Sequence, residues 1–182
     1  MNKTFIAVFG KKSSGKTYLC NYLTSRYAIN TIYITKLLEE KLCTSKDGEK
    51  QYYNLKFLEK NRISAINFLS NEFINIIKKS NILTIEGLLN KEDLVFLKES
   101  YNANCVCIFI ENKDFNLRLE RYINRNCYPK NIAMEKLKES DLQWQTDYDE
   151  QKQFANFLIS NNNSKQAFEL QIDSIMKSIL EN

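Results

Sequence analysis

The sequence predicts a three-layer α/β fold, in which a central parallel sheet of five strands is covered by helices on both faces. Short, mostly apolar runs rich in β-forming residues alternate with longer stretches of helical periodicity along the whole chain of 182 residues. This alternation is typical of a parallel sheet whose two faces are both buried. The chain contains neither an internal repeat nor a linker, so we expect a single domain over residues 1–182.

Individual elements follow from the same patterns. The expected strands are residues 4–9, 31–34, 81–86, 105–110 and 157–160. The run at 105–110, CVCIFI, is the most apolar and is therefore expected to be a central strand. The expected helices are residues 17–27, 36–42, 56–79, 91–101, 115–124, 135–145 and 165–180. Polar loops are predicted at 44–50 and at 126–131, which contains the single proline, Pro129.

The composition argues against several classes of protein. The net charge is only +4, and basic residues are interleaved with acidic ones, without the basic stripe that is typical of nucleic-acid binders. No apolar run approaches the roughly 18 residues of a membrane span, and the N-terminus leads directly into a strand rather than a signal peptide. We therefore expect a cytoplasmic protein that has neither a membrane nor a nucleic acid as its partner.

The cysteines are interpreted as buried thiols in a reducing compartment. Their number is odd, no pair has the C-x-x-C spacing, and the complete absence of histidine argues against a metal site built on them. The lack of histidine also excludes Ser–His and Cys–His catalysis. The five cysteines are Cys20, Cys43, Cys105, Cys107 and Cys127.

The strongest signal is a phosphate-binding loop between the first strand and the first helix. Its eight residues match the pattern G-x-x-x-x-G-K-[ST] without departure: Gly10, Lys11, Lys12, Ser13, Ser14, Gly15, Lys16 and Thr17. The glycines let the loop wrap closely around phosphate oxygens, so that successive backbone N–H groups form an anion-binding nest. The start of the helix adds its positive dipole end. We therefore expect this loop to hold the phosphates of ATP or GTP.

Two side chains of the loop have expected roles of their own. Lys16 is predicted to contact the β- and γ-phosphates from a solvent-facing position, and the Thr17 hydroxyl is predicted to bind Mg²⁺. The guanine-reading pattern N-K-x-D is absent, because Asn112, Lys113 and Asp114 lack the residue between Lys and Asp. The sequence therefore favours ATP over GTP.

Three further segments resemble the nucleoside-monophosphate-kinase branch of the P-loop proteins, and within it the dephospho-coenzyme A kinases and their archaeal adenylate-kinase-like relatives. ILTIEG at 82–87 is similar to their strand that ends in an acid and a glycine. LRLERYINR at 117–125 resembles their R-x-x-x-R helix, and ANFLISNN at 155–162 resembles their late A-D-x-x-I-x-N segment, which passes near the base. The resemblance implies a P-loop NTPase fold with a small helical lid at about residues 121–145.

Three positions depart from that family pattern. Asn156 stands where the family often has aspartate, and Ser140 precedes Asp141 where relatives carry Arg-Asp. Thr35 and Lys36 follow the second strand, where dephospho-coenzyme A kinases carry acids. The resemblance therefore does not identify the acceptor that receives the phosphoryl group.

Four charged residues outside the loop are further candidates for the site. Glu86 ends a predicted strand beside the loop, where an acid can hold Mg²⁺ or orient the attacking oxygen. Arg118, Arg121 and Arg125 are spaced by three and four residues, which puts them near one face of a helix, and guanidinium groups suit phosphate. We predict Lys16, Glu86, Arg121 and Arg125 as catalytic, Thr17 and Glu86 as magnesium ligands, and Arg118 as a nucleotide contact.

Two residues have weaker assignments. Arg62, on the long helix predicted at 56–79, is a candidate for binding a phosphate of the acceptor, although a solvated helix face is an equally simple explanation. Trp144 is expected to pack against the core rather than to stack on a base.

The combined prediction is a phosphotransferase that uses ATP and Mg²⁺ and acts on a nucleotide or nucleotide-like small molecule. Two alternatives remain open at this point. One is an NTPase switch, although no D-x-x-G follows the third strand. The other is a binding protein that has kept the fold and lost catalysis.

Overall fold

The computed structural model describes residues 3–34, 36–37, 75–87, 91–143 and 145–181. A sheet of five parallel strands runs through them, formed by β1 (Lys3–Gly10), β2 (Asn30–Tyr33), β3 (Ile82–Glu86), β4 (Ala103–Glu111) and β5 (Phe157–Ser160). The helices with described bounds are α1 (Lys16–Tyr27), α2 (Lys91–Tyr101), α3 (Phe115–Asn126), α4 (Lys130–Gln143), α5 (Gln145–Gln153) and α6 (Lys165–Leu180). The predicted fold class is confirmed.

The strand order explains where a site can form. The order is β2-β3-β1-β4-β5, so that β1 is the middle strand and β4 is also interior, as its apolar sequence predicts. Val8 lies opposite Glu86 of β3, and Gly10 lies opposite Ile110 of β4. Since all the strands are parallel, their carboxyl ends meet at one edge of the sheet. Ligands bind at this edge in open α/β sheets.

The side chains of β1 alternate between two apolar layers, one on each face of the sheet. Phe5, Ala7 and Phe9 pack in the layer that includes α2, whereas Ile6 and Val8 pack in the layer that includes α1 and α6. Successive side chains of a strand point to opposite faces, and burial of both sets explains why β1 is apolar throughout. This burial holds the carboxyl end of β1, and with it the loop, in a fixed place.

A third apolar cluster lies apart from the two layers of the sheet. It joins Leu119 and Tyr122 of α3 to Ala133 and Leu137 of α4. The two helices therefore form a small antiparallel unit, and this unit includes most of the predicted lid region at 121–145.

The structure corrects the sequence prediction in the segment after α3. The loop predicted at 126–131 is shorter, because α4 already begins at Lys130 and the Pro129 carbonyl accepts the N–H of Ala133. Proline suits this place, since its fixed φ fits the first helical turn and its missing N–H is not needed there. Helix α5 was not predicted, because its sequence QTDYDEQKQ has no apolar stripe.

Other predictions fall partly or wholly outside the described residues. Most of the helix predicted at 36–42 and most of the helix predicted at 56–79 lie outside them, although residues 36–37 and 75–77 are helical. Among the helices in the described ranges, none is both long and apolar enough to cross a membrane.

Candidate functional site

The loop at Gly10–Thr17 has a backbone that requires its glycines. Gly10 and Gly15 have φ angles of 140° and 115°, which L side chains rarely adopt. A Cβ atom at Gly10 would lie 2.6 Å from the Ile110 carbonyl oxygen, and one at Gly15 would lie 2.3 Å from Asn161 Nδ2. Both glycines are therefore needed for their conformation and also for the close approach of β4 and of Asn161.

Lys16 is held by the loop itself. Its Nζ donates to the carbonyl of Gly10 at 2.7 Å and to that of Lys11 at 3.1 Å. Burial lowers the pKa of Lys16 from its ordinary value, and the nearby carboxylate of Glu86 opposes this shift. Lys16 is half-buried and lines the cleft, and its ammonium group is bonded back to the carbonyls of the loop that it is predicted to serve.

Thr17 and Glu86 meet at the edge of the sheet. Thr17 Oγ1 donates to Glu86 Oε1 at 3.1 Å, because α1 begins directly after the loop that follows β1 and Glu86 ends the neighbouring strand β3. The other carboxylate oxygen, Glu86 Oε2, is buried and has no hydrogen-bond partner within the described part of the chain. Hydroxyl and carboxylate oxygens are the ligands that Mg²⁺ prefers, so these two residues fit the ion.

Two of the three predicted arginines lie beside the loop. Arg121 and Arg125 line a cleft of about 330 Å³ together with loop residues and Glu86. The full lining is Lys12, Ser13, Gly15, Lys16, Thr17, Tyr18, Glu86, Arg121 and Arg125. Five of these nine side chains are charged, and four of the five are cationic, which suits a polyanion.

Arg121 has one half of its guanidinium group bound and the other half unbound. Nη2 donates to the side-chain oxygen of Asn161 at 3.1 Å and to its backbone carbonyl at 3.3 Å. Nη1 is buried without a partner among the described residues. Burial lowers the pKa of Arg121, although an arginine stays charged in proteins.

Arg118 is not brought together with the other arginines. Its side chain is only 3% exposed, and it forms a bidentate pair with Asp141 of α4, in which Nη1 lies 2.8 Å from Oδ1 and Nη2 contacts Oδ2. Nη1 also donates to the Lys12 carbonyl at 3.2 Å. Arg118 does not line the cleft, so its surroundings are those of a structural residue that supports the loop from outside.

The remaining loop residues, Lys11, Lys12, Ser13 and Ser14, have different surroundings. Lys11 Nζ lies 4.7 Å from the ring centroid of Tyr148 in α5 and 3.9 Å from Asp141. Lys12 Nζ lies 4.9 Å from the ring centroid of Tyr122 in α3. Ser13 lines the cleft, whereas Ser14 is fully buried.

Sequence reasoning missed the roles of Asn161, Asp141 and Tyr148. Asn161 is 6% exposed and bonds to both the loop and Arg121, which are far from it in the chain. Its only signal in the sequence is that it matches the final asparagine of the pattern A-D-x-x-I-x-N. Asp141 appeared only as part of a departure from the family pattern, and Tyr148 lies in the helix that was not predicted.

The departure at Asn156 has a structural explanation. Its Oδ1 accepts the backbone N–H of Cys107 at 2.7 Å, and its own N–H donates to the Cys107 carbonyl at 2.9 Å. An amide oxygen can accept this bond as a carboxylate oxygen can, so the substitution keeps the link between β4 and the start of β5. Arg62 and Trp144 lie outside the described residues.

The loop, the sheet order and the helices on both faces together define the fold of the P-loop kinases. No family model and no curated protein sequence matches the chain. Among solved structures, an uncharacterised protein from Eubacterium ventriosum is similar, with a TM-score of 0.65, 18% identity and coverage of 100% of both chains.

The similar structures include several that are named as kinases. Shikimate kinase from Bacteroides thetaiotaomicron has a TM-score of 0.58 and 13% identity, covering 98% of this chain and 99% of its own. Dephospho-CoA kinase from Campylobacter jejuni has a TM-score of 0.51 and 20% identity, covering 98% of both chains. The predicted resemblance to P-loop kinases is thereby confirmed at the level of the fold.

Proposed function

We propose that the protein is a phosphotransferase that moves the γ-phosphoryl group of ATP, with Mg²⁺, to a nucleotide or nucleotide-like small molecule. The observation that carries the proposal is the cleft in which the phosphate loop, the pair of Thr17 and Glu86, and the two arginines Arg121 and Arg125 come together. We take residues 1–182 as one kinase-like domain, with the unit of α3 and α4 as its lid.

The loop supplies the binding of the polyphosphate. The first turn of α1, which begins at Lys16, has no side-chain cap, so its backbone N–H groups would bond to the anionic oxygens. Lys16 would exchange its bonds to the carbonyls of Gly10 and Lys11 for bonds to the β- and γ-phosphates. The exchange is favourable, because a hydrogen bond from the ammonium group to a charged phosphate oxygen is stronger than one to a neutral carbonyl oxygen.

Mg²⁺, when bound, would neutralise charge on the β- and γ-oxygens. Thr17 Oγ1 and the carboxylate of Glu86 are the groups that would hold it, directly or through water. The buried and unpaired Glu86 Oε2 supports this role, because a carboxylate oxygen that has been removed from water requires a proton, a donor or a cation nearby.

Arg121 and Arg125 would stabilise the phosphoryl group during transfer. The acceptor oxygen attacks the γ-phosphorus as the bond to the ADP oxygen breaks, and charge is redistributed over the oxygens in between. Cations that are already in place lower the barrier without reorganisation. The buried, unpaired Nη1 of Arg121 supports the presence of an anion here, since it is a charged donor with no partner in the described residues.

The structural neighbours support a kinase but leave its acceptor to experiment. The two named kinases are kinases of shikimate and of dephospho-CoA, which differ greatly in size and chemistry. Because their identities to this chain are 13% and 20%, neither acceptor is transferred to it.

Two finer expectations of the sequence analysis remain proposals. ATP is preferred to GTP, on the ground that the guanine-reading pattern is absent at residues 112–114. The location is the cytoplasm, on the ground that the spacing of the cysteines suits free thiols in a reducing compartment.

A panel of acceptors tests the proposal. ADP formation is measured with Mg·ATP alone and with added nucleoside monophosphates, dephospho-coenzyme A, shikimate and gluconate, with metal-free ATP as a parallel arm. A second parallel arm uses Mg·GTP and is measured as GDP formation. A kinase forms ADP only when one particular acceptor is present, and it forms one equivalent of the phosphorylated acceptor with it. ADP formation that is the same with and without every acceptor would instead identify a hydrolysing NTPase. ATP binding with no ADP in any arm would identify a binding protein.

A further inference from the structure

We propose that Asn161 is a positioning residue that fixes Arg121 and the phosphate loop relative to each other. The inference rests on the proposed function, because it assumes that Arg121 and the loop bind the same polyphosphate. Asn161 follows β5 and lies beneath both groups, and it does not line the cleft.

The first contact of Asn161 is with the loop. Its Nδ2 donates to the Ser14 carbonyl at 2.7 Å. The same nitrogen occupies the space beside Gly15, where a Cβ atom would come within 2.3 Å of it. Asn161 thus supports the turn at Ser14 and Gly15, immediately before α1 begins with Lys16.

The second contact of Asn161 is with Arg121. Its Oδ1 accepts from Nη2 at 3.1 Å, and its backbone carbonyl accepts from the same nitrogen at 3.3 Å. These bonds fix the plane of the guanidinium group and leave Nη1 without a described partner. The arginine is therefore oriented by one edge, and Nη1 remains available for an anion.

Asn161 is itself held firmly. Its N–H donates to the Glu111 carbonyl at 3.0 Å, and its carbonyl accepts from the buried Asn112 side chain at 2.6 Å. Both partners lie at the carboxyl end of β4, so Asn161 is attached to the interior of the sheet. Its position is therefore set by the rigid part of the fold and not by the loop or by Arg121.

The chemistry of the side chain matches this double task. Only an amide of this length offers a donor for a carbonyl and an acceptor for a guanidinium group from one planar end. An aspartate would set a carboxylate against the Ser14 carbonyl. Alanine would lose both side-chain bonds and keep only the backbone carbonyl as an acceptor for Arg121. Without Asn161, Arg121 would have to be ordered by the ligand, and this ordering would reduce the affinity for the polyphosphate.

A double-mutant cycle tests the inference by equilibrium binding. The dissociation constants of Mg·ATP and of inorganic tripolyphosphate are measured by calorimetry for wild type, Asn161→Ala, Arg121→Ala and the double variant. We expect each single variant to weaken binding about tenfold, the scale of one lost charge-assisted bond. The double variant should be less than about threefold weaker than Arg121→Ala, because most of the effect of Asn161 acts through the arginine and only the bond to the Ser14 carbonyl remains to be lost.

The matched control is Asn162→Ala. Asn162 is the next residue and is exposed, and its described bonds go to Ser160 and to the N–H of Lys113, not to the loop or Arg121. The dissociation constants of Asn162→Ala for Mg·ATP and tripolyphosphate should lie within about twofold of those of wild type. If Asn161→Ala does not fold, Asn161→Ser replaces it in the cycle, since serine keeps a polar atom in the buried site but is too short to span both partners.

Three results would overturn the inference. Wild-type affinity in the variant at position 161 would show that its contacts do not matter for binding. Effects that multiply in the double variant would show that Asn161 acts independently of Arg121, as a purely structural residue does. A wild-type protein that binds neither ligand would overturn both this inference and the proposed function. Binding of tripolyphosphate without ATP would overturn only the proposed function, and the cycle would then be decided with tripolyphosphate.

Discussion

Arg118 and Arg121 are one helical turn apart on α3, yet their surroundings give them different roles. The charge of Arg118 is matched by Asp141, and this pair supports the loop at the Lys12 carbonyl. Arg121 has no carboxylate partner among its described hydrogen bonds, and it faces the cleft with Arg125. A cation without a hydrogen-bonded carboxylate, in a cleft beside a phosphate loop, is the arrangement that an anionic ligand completes.

Replacing Arg125 or Arg121 should therefore reduce turnover. We expect Arg125→Ala to lower kcat and kcat/KM together by roughly two to three orders of magnitude, the scale for one lost electrostatic donor. Arg121→Ala should lower turnover by a similar factor. In Arg125→Ala, the affinity for ATP should change much less than turnover does. Steady-state kinetics with the acceptor found in the panel would measure both. Wild-type rates in both variants would mean that this face of α3 has no part in catalysis.

Nucleotide binding should be more sensitive to the replacement of Lys16 than to that of any other residue. Lys16→Ala removes the ammonium group that would bond to the β- and γ-phosphates, so we expect ATP affinity to fall by about tenfold to a hundredfold. Calorimetric titration measures this change, and the exposed Lys177 of α6 provides the matched control as Lys177→Ala. Unchanged ATP affinity in Lys16→Ala would refute the assignment of the loop.

Helices α4 and α5 are connected to the phosphate loop by charges and rings. Asp141 of α4 pairs with Arg118 and lies 3.9 Å from Lys11, and Tyr148 of α5 lies under the Lys11 ammonium group. Lys11 and Lys12, which occupy two x positions of the loop pattern, thus both contact the surrounding helices. The ion pair of Arg118 and Asp141 connects α3 and α4 to each other and to the loop backbone at Lys12.

Breaking this pair should destabilise the fold. Asp141→Asn leaves the guanidinium group of Arg118, which is 3% exposed, without its compensating charge. We expect the free energy of unfolding to fall by about 2 kcal/mol, less than the 3–5 kcal/mol of a fully buried pair because Asp141 is partly exposed.

Urea denaturation of Asp141→Asn and of the control Asp149→Asn measures this effect. Asp149 is exposed on α5, so its variant should differ from wild type by less than about 0.5 kcal/mol. Equal stability of the two variants would show that the pair with Arg118 contributes nothing to the fold.

At the scale of the whole molecule, two carboxylates fasten helices to the rest of the fold. Glu111, at the end of β4, pairs with Lys152 of α5 at 2.7 Å, and this bond holds its pKa below the ordinary value against the effect of burial. Asp173 of α6 accepts hydrogen bonds from Tyr22 and Tyr27 of α1. Burial raises the pKa of Asp173, but these bonds and the charge of Arg26 outweigh it, so that the net shift is downward.

These shifts predict the direction of acid destabilisation. A carboxylate with a lowered pKa in the folded state stabilises the fold above its unfolded pKa, and this contribution is lost as the pH falls through the folded value. The ordinary values are 4.5 for Glu111 and 3.8 for Asp173, so stability should decrease below about pH 4.5. We expect the double variant Glu111→Gln/Asp173→Asn to be less stable at pH 6 and to lose less stability between pH 6 and pH 3.

Denaturation of wild type and the double variant at about pH 6, 4.5 and 3 measures these slopes. Glu169→Gln serves as a control on α6, because its contacts involve Tyr18 and Lys165 and neither Glu111 nor Asp173. The same loss of stability in wild type and the double variant over this range would show that other groups dominate acid unfolding.

The sequence by itself determined the features that are local. The bounds of β5, α2 and α6 are the predicted ones, because a short apolar strand between polar turns and a helix with one apolar face each leave a pattern in consecutive residues. The phosphate loop was equally readable, because the positive φ angles at Gly10 and Gly15 require glycine within a single contiguous segment. Helix α5 was missed for the same reason, since a polar helix leaves no such pattern.

Only the tertiary structure decided what depends on contacts between distant residues. Arg118 and Arg121 are equivalent in the helical pattern, and their difference arises from Asp141 on another helix and from Asn161 after the last strand. Asn161 meets Ser14 across 147 residues of chain, and the folded position of Lys16 depends on carbonyls that only the closed loop brings near it. Such contacts are set by the packing of the sheet and its helices, and the spacing of residues along one segment does not record them.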